Sequence, residues 1–279
     1  MIYFIIFLTV FISTYLVKIY LNHKSILADI NHRSSHTVPT PAGGGVAIAL
    51  GWFGGLVYLY IQDNIDHTLF VLLILGFIIY AIGLYDDLVK KITAKKRLLF
   101  QSIVAIVPLV VLGGLSSIDL VFYEITNSIV TNIFAFLIIM WFINIYNFMD
   151  GIDGYASSEA IFLGLSGFFI FGGDHFLLLA VCVFGFWLWN FPSKFIGGRA
   201  KIFMGDSAST LPGYNIAIFT LYYAHESSLN LWIWIALFSL FWVDATYTLL
   251  KRILQGKNPT QAHKEHFYQR LVQYGWSHG

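Results

Sequence analysis

Residues 70–84 read FVLLILGFIIYAIGL, an unbroken apolar stretch within a chain of 279 residues. Apolar and polar residues do not alternate in it, which argues against the short alternating strands of a membrane β-barrel. A helix needs about 20 predominantly apolar residues to cross the hydrocarbon core of a bilayer. The stretch and its apolar flank therefore predict a membrane-spanning helix.

Similar apolar runs recur along the chain. They lie at roughly 1–20, 43–62, 69–84, 98–114, 128–146, 158–172, 174–190, 208–224 and 230–250. The composition is 58% hydrophobic and 11% charged, with a mean hydropathy of +0.73, outside the range of soluble domains. The first run lacks a basic start and a small-residue cleavage site, so it is not a cleaved signal. We predict one all-α domain over residues 1–279, a polytopic integral membrane protein with about nine transmembrane helices.

Positive charges lie on one side of this predicted topology. All 16 Lys and Arg residues fall at the first, third and seventh loops or in the last segment, whereas the loops of the other side carry only acidic charges. Those acidic residues are Asp63, Asp66, Asp119, Glu124, Asp174 and Glu226. The positive-inside rule makes the basic side cytoplasmic and the N-terminus external. A net charge of +1 gives no strongly basic surface, so no nucleic-acid partner is expected.

The basic side also carries long polar segments. They lie at about 21–42, 85–97, 147–157, 191–207 and 251–279 and are rich in carboxylates, amides, Gly and His. Carboxylates in segments that also hold the cations predict a site for an anionic ligand and a divalent metal. The single cysteine, Cys182, is interpreted as a small buried hydrophobe within a helix.

Two polar motifs lie in the first half of the chain. Pro39-Thr40-Pro41-Ala42-Gly43-Gly44-Gly45 precedes the second run. Its glycine amides could donate hydrogen bonds to a phosphate or sugar oxygen, or the small residues could allow close helix packing. Asp86-Asp87 ends the third run, where adjacent carboxylates repel each other and need a compensating cation such as Lys90 or Lys91. A solvated helix end is the alternative.

Two more motifs follow in the second half. Asn144, Asn147, Asp150 and Asp153 recur every third residue, so they share one helical face where a helix leaves the bilayer. Such groups are costly beside lipid unless they face a cavity or form a polar seam between helices. Asp206 comes just before the eighth run, where it is either a metal ligand beside free amides or a helix cap, a role that Ser207 could also fill.

Histidines mark the last segment. His263 and His266 accompany Lys264 and Arg270, a combination that favours phosphate recognition. A zinc site is disfavoured because no third ligand of the usual spacing is present. Five other histidines are interpreted as surface or interfacial residues: His23, His67, His175, His225 and His278.

The motifs together resemble the polyprenyl-phosphate N-acetylhexosamine-1-phosphate transferases, glycosyltransferase family 4, over nearly the whole chain. The shared motifs, in order, are Pro39-Thr40-Pro41, Asp86-Asp87, the Asn147–Gly154 run, Phe203-Met204-Gly205-Asp206 and the His263/His266 pair. Arg33-Ser34-Ser35-His36 and the His263–Arg270 stretch are similar to bacterial enzymes that begin O-antigen or capsule repeat units. Two departures are Ala42, where relatives often carry a basic residue, and the end at Gly279, where relatives usually continue to ten or more helices.

The resemblance implies an enzyme that transfers N-acetylhexosamine 1-phosphate from a UDP-N-acetylhexosamine to polyprenyl (undecaprenyl) phosphate. The products would be a polyprenyl-diphosphate sugar and UMP, the first step of a cell-surface glycan such as the O-antigen of lipopolysaccharide. The implied cofactor is Mg²⁺, with Mn²⁺ as a substitute. The implied location is the bacterial inner (plasma) membrane with a periplasmic N-terminus, and a homodimer is compatible with the family.

The resemblance also implies residue roles. The catalytic residues would be Asp86, Asp87, Asp150 and Asp153, and the metal ligands Asp206 and Asp150. Substrate contacts would come from Asn144, Asn147, Phe203, Gly205, His263, His266, Lys90 and Arg270. Phe203 would stack on the uracil and the histidines would hold the diphosphate, while Asp86 acts either as a base or as a positioning group.

Two other functions are compatible with many helices. A transporter would place ionisable residues near the middle of the bilayer, where only Asp244 is a candidate. A non-catalytic membrane protein that binds lipid or nucleotide sugar is the second alternative. CDP-alcohol phosphotransferases also use Asp-rich motifs, but their spacing is not found.

Overall fold

The computed structural model describes residues 1–28, 38–89, 92–120, 122–258 and 263–278. Helices make up most of this part of the chain. They are α1 (Ile2–His23), α2 (Gly45–Ile61), α3 (His67–Val89), α4 (Ala94–Leu112), α5 (Ser128–Met149), α6 (Tyr155–Phe171), α7 (Asp174–Asn190), α8 (Asp206–Ala224), α9 (Ser228–Leu237), α10 (Ser239–Leu254) and α11 (Phe267–Gln273). A small antiparallel hairpin pairs β1 (Ile118–Leu120) with β2 (Tyr123–Ile125).

Several helices are suited to lipid. Within the described residues, α1, α3 and α5 are each long and apolar enough to cross a membrane, and α9 with α10 would add a fourth span if the bent pair crosses as one. Large apolar side chains face outward, including Leu16 at 58%, Val110 at 74% and Phe169 at 80% exposure. Such a surface requires an apolar solvent. The chain is an all-α polytopic membrane protein, as the sequence predicts.

Each predicted run coincides with a helix, with three corrections. The ninth run is two helices, α9 and α10, bent by 74°. The hairpin and α11 were not predicted. The predicted loops at 85–97 and 147–157 are too long, because α3 continues to Val89 and α6 already begins at Tyr155. Asp86 and Asp87 therefore lie in the last turn of α3, where partners from other helices satisfy them.

Helix α8 lies at the centre of the bundle, with nearly all its residues buried. A Cβ atom on Gly213 would come within 2.6 Å of the Phe142 carbonyl oxygen, so α8 packs directly on α5. A Cβ atom on Gly83 would come within 2.5 Å of the Ser207 Cα atom, which brings α3 equally close to the start of α8. The start of α8 is thus fixed between the ends of α3 and α5. Cys182 is fully buried in α7, as expected.

Candidate active site

The glycine-rich first motif is bonded to the segment that precedes α8. The Phe203 amide donates to the Pro41 carbonyl (2.8 Å), the Gly44 amide donates to the Phe203 carbonyl (2.9 Å), and the Gly45 amide donates to the Met204 carbonyl (3.0 Å). These glycine amides are therefore already paired, and the interpretation of them as phosphate ligands is wrong. Close packing is the better explanation, because a Cβ atom on Gly45 would lie 2.2 Å from that of Ala208.

Asp87 caps helix α8 from the end of α3. Its Oδ1 accepts the Asp206 amide at 3.1 Å and its Oδ2 accepts the Ser207 amide at 3.0 Å. A carboxylate at a helix N-terminus satisfies free amides and interacts favourably with the macrodipole. Gly205 permits this approach, since its φ is +86° and a Cβ atom there would lie 3.0 Å from Asp87 Oδ2. The cap is thus supplied by another helix, and the alternative in which Asp206 or Ser207 caps α8 is wrong.

The Asp206 side chain points toward α5 and α4. Its Oδ1 accepts a hydrogen bond from Asn147 Nδ2 at 3.1 Å, and its Oδ2 accepts one from Arg97 Nη1 at 2.9 Å. Arg97 Nη1 also lies 3.8 Å from Asp86 Oδ2, and the Asn147 amide donates to Ser209 Oγ at 2.8 Å. Asp86, Asn147 and Asp206 are thus brought together, with Arg97 as the compensating cation in the described residues.

Asp150 follows the last turn of α5 beside this group. Within the described part of the chain, its carboxylate has no hydrogen bond or ion pair. Burial and the negative charges of Asp206, Asp87 and Asp153 raise the pKa of Asp150 to about 7. Four carboxylates therefore act on one another, and Asp150 is the one whose carboxylate has no bonding partner in the described residues.

This raised pKa predicts a pH-dependent stability. The unfolded chain ionises Asp150 near its ordinary pKa, whereas the folded protein without metal does so only near pH 7. Stability contributed by the protonated group is present below the unfolded pKa, falls as the pH rises to about 7 and is then constant. In metal-free detergent solution, we expect Asp150→Asn to have a Tm several degrees above wild type at pH 8. The advantage should shrink toward pH 4.5, and an advantage that does not change with pH would contradict the assignment.

Two predicted site residues have mainly structural partners. Asp153 Oδ2 accepts the Ala200 amide at 2.9 Å, and Oδ1 lies 3.4 Å from His278 Nδ1, so this carboxylate ties two loops to the C-terminal segment. Asn144 donates to Gln101 Oε1 at 3.0 Å and is buried, as in a polar seam between helices. In the described part of the chain, neither side chain forms a hydrogen bond or ion pair with Asp206.

The C-terminal segment packs beside the end of α5. The Tyr268 hydroxyl donates to the Phe148 carbonyl at 3.0 Å, and a Cβ atom on Gly151 would lie 2.1 Å from that hydroxyl oxygen. Asp244 receives the Phe267 amide at 3.0 Å and lies 3.3 Å from His266 Nδ1. Asp244 therefore anchors this segment. Because these contacts give it a structural role, it no longer supports the interpretation as a transporter.

His263 lies next to His266, with ring centroids 4.9 Å apart. Its Nδ1 accepts the Glu265 amide at 3.2 Å, which assigns the proton of the neutral ring to Nε2. Burial and the positive charges of His266 and Arg252 lower the pKa of His263 to about 4. His263 is thus a neutral hydrogen-bond donor at pH 7.

Three predicted site residues remain: Phe203, Arg270 and Lys90. Phe203 is half-buried and Arg270 is exposed. Lys90 and the Arg33–His36 stretch lie outside the described residues. Two histidines interpreted as surface residues are not: His175 is 4% exposed beside the Tyr223 hydroxyl, and His278 contacts Asp153.

Three residues near the site were missed. Arg97 was predicted only as one of the cytoplasmic cations, although its position at the start of α4 places it opposite Asp86. Asn190 joins loops by accepting the Gly154 amide at 3.0 Å and donating to the Ile202 carbonyl at 3.0 Å. Ser209 contacts Asn147. A polar side chain in the last turn of an apolar helix was the available signal for Asn190.

The donor set fits magnesium bound together with a substrate. No group of three His, Cys, Asp or Glu side chains in the described ranges could hold a metal ion by itself. Magnesium commonly uses one or two carboxylates, several waters and substrate phosphates, so such an enclosure is not required. Asp150 and the 46% exposed Asp206 provide two oxygen donors of the right kind.

The fold and the site define an all-α membrane protein with a carboxylate-rich site at one end of its helices. Residues 69–224 match the family model of glycosyl transferase family 4, and the chain belongs to this family, which confirms the resemblance of the motifs. The chain is therefore a transferase enzyme.

Similar curated proteins agree with this family. The chain is 29% identical, over 97% of its length and 76% of the relative, to the probable undecaprenyl-phosphate N-acetylglucosaminyl 1-phosphate transferase of Bacillus subtilis. It is 29% identical, over 96% of its length and 75% of the relative, to the decaprenyl-phosphate N-acetylglucosaminephosphotransferase of Mycobacterium leprae. An undecaprenyl-phosphate alpha-N-acetylglucosaminyl 1-phosphate transferase of Yersinia pestis is 25% identical over 88% of the chain and 69% of the relative.

Proposed function

We propose that this protein transfers N-acetylhexosamine 1-phosphate from a UDP-sugar to polyprenyl phosphate, releasing UMP. The observation that carries the proposal is the start of α8, where Asp206 is held by Asn147 and Arg97 beside the unpaired Asp150. The names of the similar proteins support a polyprenyl phosphate acceptor and make N-acetylglucosamine the first sugar to test.

The acceptor needs little activation. A phosphate monoester has a second pKa near ~6, so polyprenyl phosphate is largely dianionic at neutral pH. One of its oxygens attacks the sugar-bound β-phosphorus of the donor, a new P–O bond forms, and the bond between that phosphorus and the bridging oxygen breaks. The electron pair leaves with UMP. A general base is unnecessary, which favours a positioning role for Asp86.

The main barrier is repulsion between two phosphate-bearing substrates. We propose that Asp206 and Asp150 hold Mg²⁺, which Mn²⁺ can replace and which neutralises charge on the donor phosphates when bound. Arg97 keeps a positive charge 2.9 Å from Asp206 Oδ2, where these phosphates would meet. Asn147 orients Asp206 through the opposite oxygen, Oδ1.

The C-terminal segment would complete the donor site. His263 is neutral at pH 7, so its Nε2 would donate a hydrogen bond to the diphosphate without contributing a positive charge. His266 is held by Asp244 and would donate beside it. We propose that Phe203 stacks on the uracil and that Gly205, Lys90 and Arg270 lie near the phosphates.

The nucleotide product tests this chemistry. Purified protein with UDP-N-acetylglucosamine, undecaprenyl phosphate and Mg²⁺ is expected to release UMP in step with lipid product, measured by anion-exchange chromatography. A reaction without lipid acceptor is the control. Release of UDP would show that the sugar–oxygen bond is cut instead, and would contradict the proposal.

We further propose that the enzyme lies in the bacterial inner membrane with the site facing the cytoplasm and the N-terminus outside. The basic residues near the site support this orientation. The product, a lipid-linked sugar with free hydroxyl groups, fits the first step of a surface glycan such as O-antigen or capsule.

Cysteine labelling tests the orientation. In a Cys182→Ser background, we expect Thr93→Cys, at the exposed start of α4, to resist an impermeant thiol reagent added to intact cells. Asp63→Cys, at the opposite ends of the helices, is the matched control and should react. Labelling of position 93 from outside would reverse the orientation.

A further inference from the structure

A basic and aromatic cluster lies where α1 meets α7, apart from Asp206 and Asp150. The Lys18 ammonium is 4.9 Å from the ring centroids of both Tyr15 and Trp189. The Trp189 indole N–H donates to the Phe11 carbonyl at 3.1 Å, and the Trp189 carbonyl accepts the Lys201 amide at 2.8 Å. Trp189 thus joins the two helices and contacts both lysines, the Lys18 ammonium through its ring and the Lys201 amide through its carbonyl.

The two lysines lack a neutralising partner. Neither Lys18 nor Lys201 forms an ion pair with a carboxylate in the described residues, and the positive charge of Lys201 acts on Lys18. The Lys201 ammonium lies over the turn at Gly197, where an added Cβ atom would be 3.2 Å from it. The two positive charges repel each other, so an anion close to both would be favourable.

The cluster opens toward lipid. Ile12, Leu16 and Ile19 on the same helix are 53%, 58% and 46% exposed, so the adjoining surface of α1 is apolar. Tyr15 is 43% exposed at this boundary. Aromatic rings and lysines whose ammonium groups reach for the headgroups are typical of a membrane interface.

We propose that this cluster binds the phosphate of an anionic phospholipid, between the ammonium groups of Lys18 and Lys201, with the acyl chains along the exposed apolar face of α1. Basic pockets between helices are suited to such headgroups. The aromatic contacts hold Lys18 in place before the lipid arrives, which reduces the entropy lost on binding. Membrane lipid itself, in addition to the two substrates, is therefore a specific ligand.

The experiment tests whether an anionic lipid stabilises the protein and whether Lys18 and Lys201 are responsible. The full chain is reconstituted in nanodiscs of phosphatidylcholine with or without phosphatidylglycerol, and Tm is measured together with lipid retention in native mass spectrometry. For wild type we expect phosphatidylglycerol to raise Tm by a few degrees and to remain bound. Lys18→Gln with Lys201→Gln should lose more than half of this shift, and Lys18→Arg should keep it.

Lys24→Gln is the matched control, because Lys24 is an exposed lysine at the end of the same helix. It should retain the phosphatidylglycerol effect. Lys201→Gln alone, which leaves Lys18 in contact with the Tyr15 and Trp189 rings, should show a partial loss even if the double variant is unstable. If wild type has the same Tm in both kinds of nanodisc, the proposed site is wrong. If Lys24→Gln loses as much of the phosphatidylglycerol effect as the double variant, the effect is only diffuse attraction to the surface, and the proposed site is again wrong.

Discussion

Asp206→Asn is expected to lower turnover by about a thousandfold while the fold is retained. The two carboxylate oxygens of Asp206 face Asn147 and Arg97, and the amides at the start of α8 are capped by Asp87. Asparagine would keep the shape but lose the charge that attracts a divalent cation. The lost pair with Arg97 is partly exposed and is worth only about 0–1 kcal/mol.

Transfer is measured over a Mg²⁺ titration, together with Tm in detergent. Asp63→Asn is the matched control, since Asp63 lies in the connection at the opposite end of the helices and has a φ of +55° that asparagine tolerates. The control should retain activity. Near-normal transfer by Asp206→Asn at ordinary Mg²⁺ would exclude a metal-binding role for this carboxylate.

Asp87→Asn should reduce stability and activity together. The carboxylate accepts two amides of α8, whereas an asparagine can accept with only one atom and presents an NH₂ group to the other. Loss of this cap should cost about 1–2 kcal/mol of stability. Displacement of the start of α8 should also lower turnover by about 10- to 100-fold, because Asp206 is the first residue of that helix.

The neighbouring carboxylate provides a matched comparison. Asp86 accepts the Ile92 amide at 3.2 Å through one oxygen, which the side-chain oxygen of asparagine can replace. Asp86→Asn should therefore leave Tm nearly unchanged. Unchanged Tm and lost activity in Asp87→Asn would instead assign Asp87 a chemical role and contradict its role as a cap.

The fold was largely predictable because the bilayer imposes strong rules on sequence. A span must be apolar and cations remain on one side, so the apolar runs located the helices. The bend between α9 and α10 could not be found this way, since no Gly or Pro occurs within residues 230–250. Asp244 was the available signal that this run is not a plain span, because a carboxylate within it needs polar partners. In the structure these partners are His266 and the Phe267 amide.

The site was only partly predictable. The residue types at Asp87, Asn147, Asp150 and Asp206 indicated anion and metal chemistry, but not which helix would contact which. Asp87 and Asp206 are 119 residues apart in sequence, so the cap depends on the packing of α3 against α8. The phosphate-binding alternative for the glycine motif failed for a similar reason, because backbone hydrogen bonds to Phe203 and Met204 occupy the glycine amides.

The mass of the lipid product shows directly whether N-acetylhexosamine 1-phosphate is transferred to polyprenyl phosphate. Purified protein is incubated with undecaprenyl phosphate, Mg²⁺ and a panel of UDP-N-acetylhexosamines, and the extracted lipid is examined by mass spectrometry. We expect a lipid heavier by one N-acetylhexosamine phosphate, absent with Asp206→Asn and present with Asp63→Asn. A lipid heavier by the sugar alone, or unchanged with every donor, would contradict this expectation.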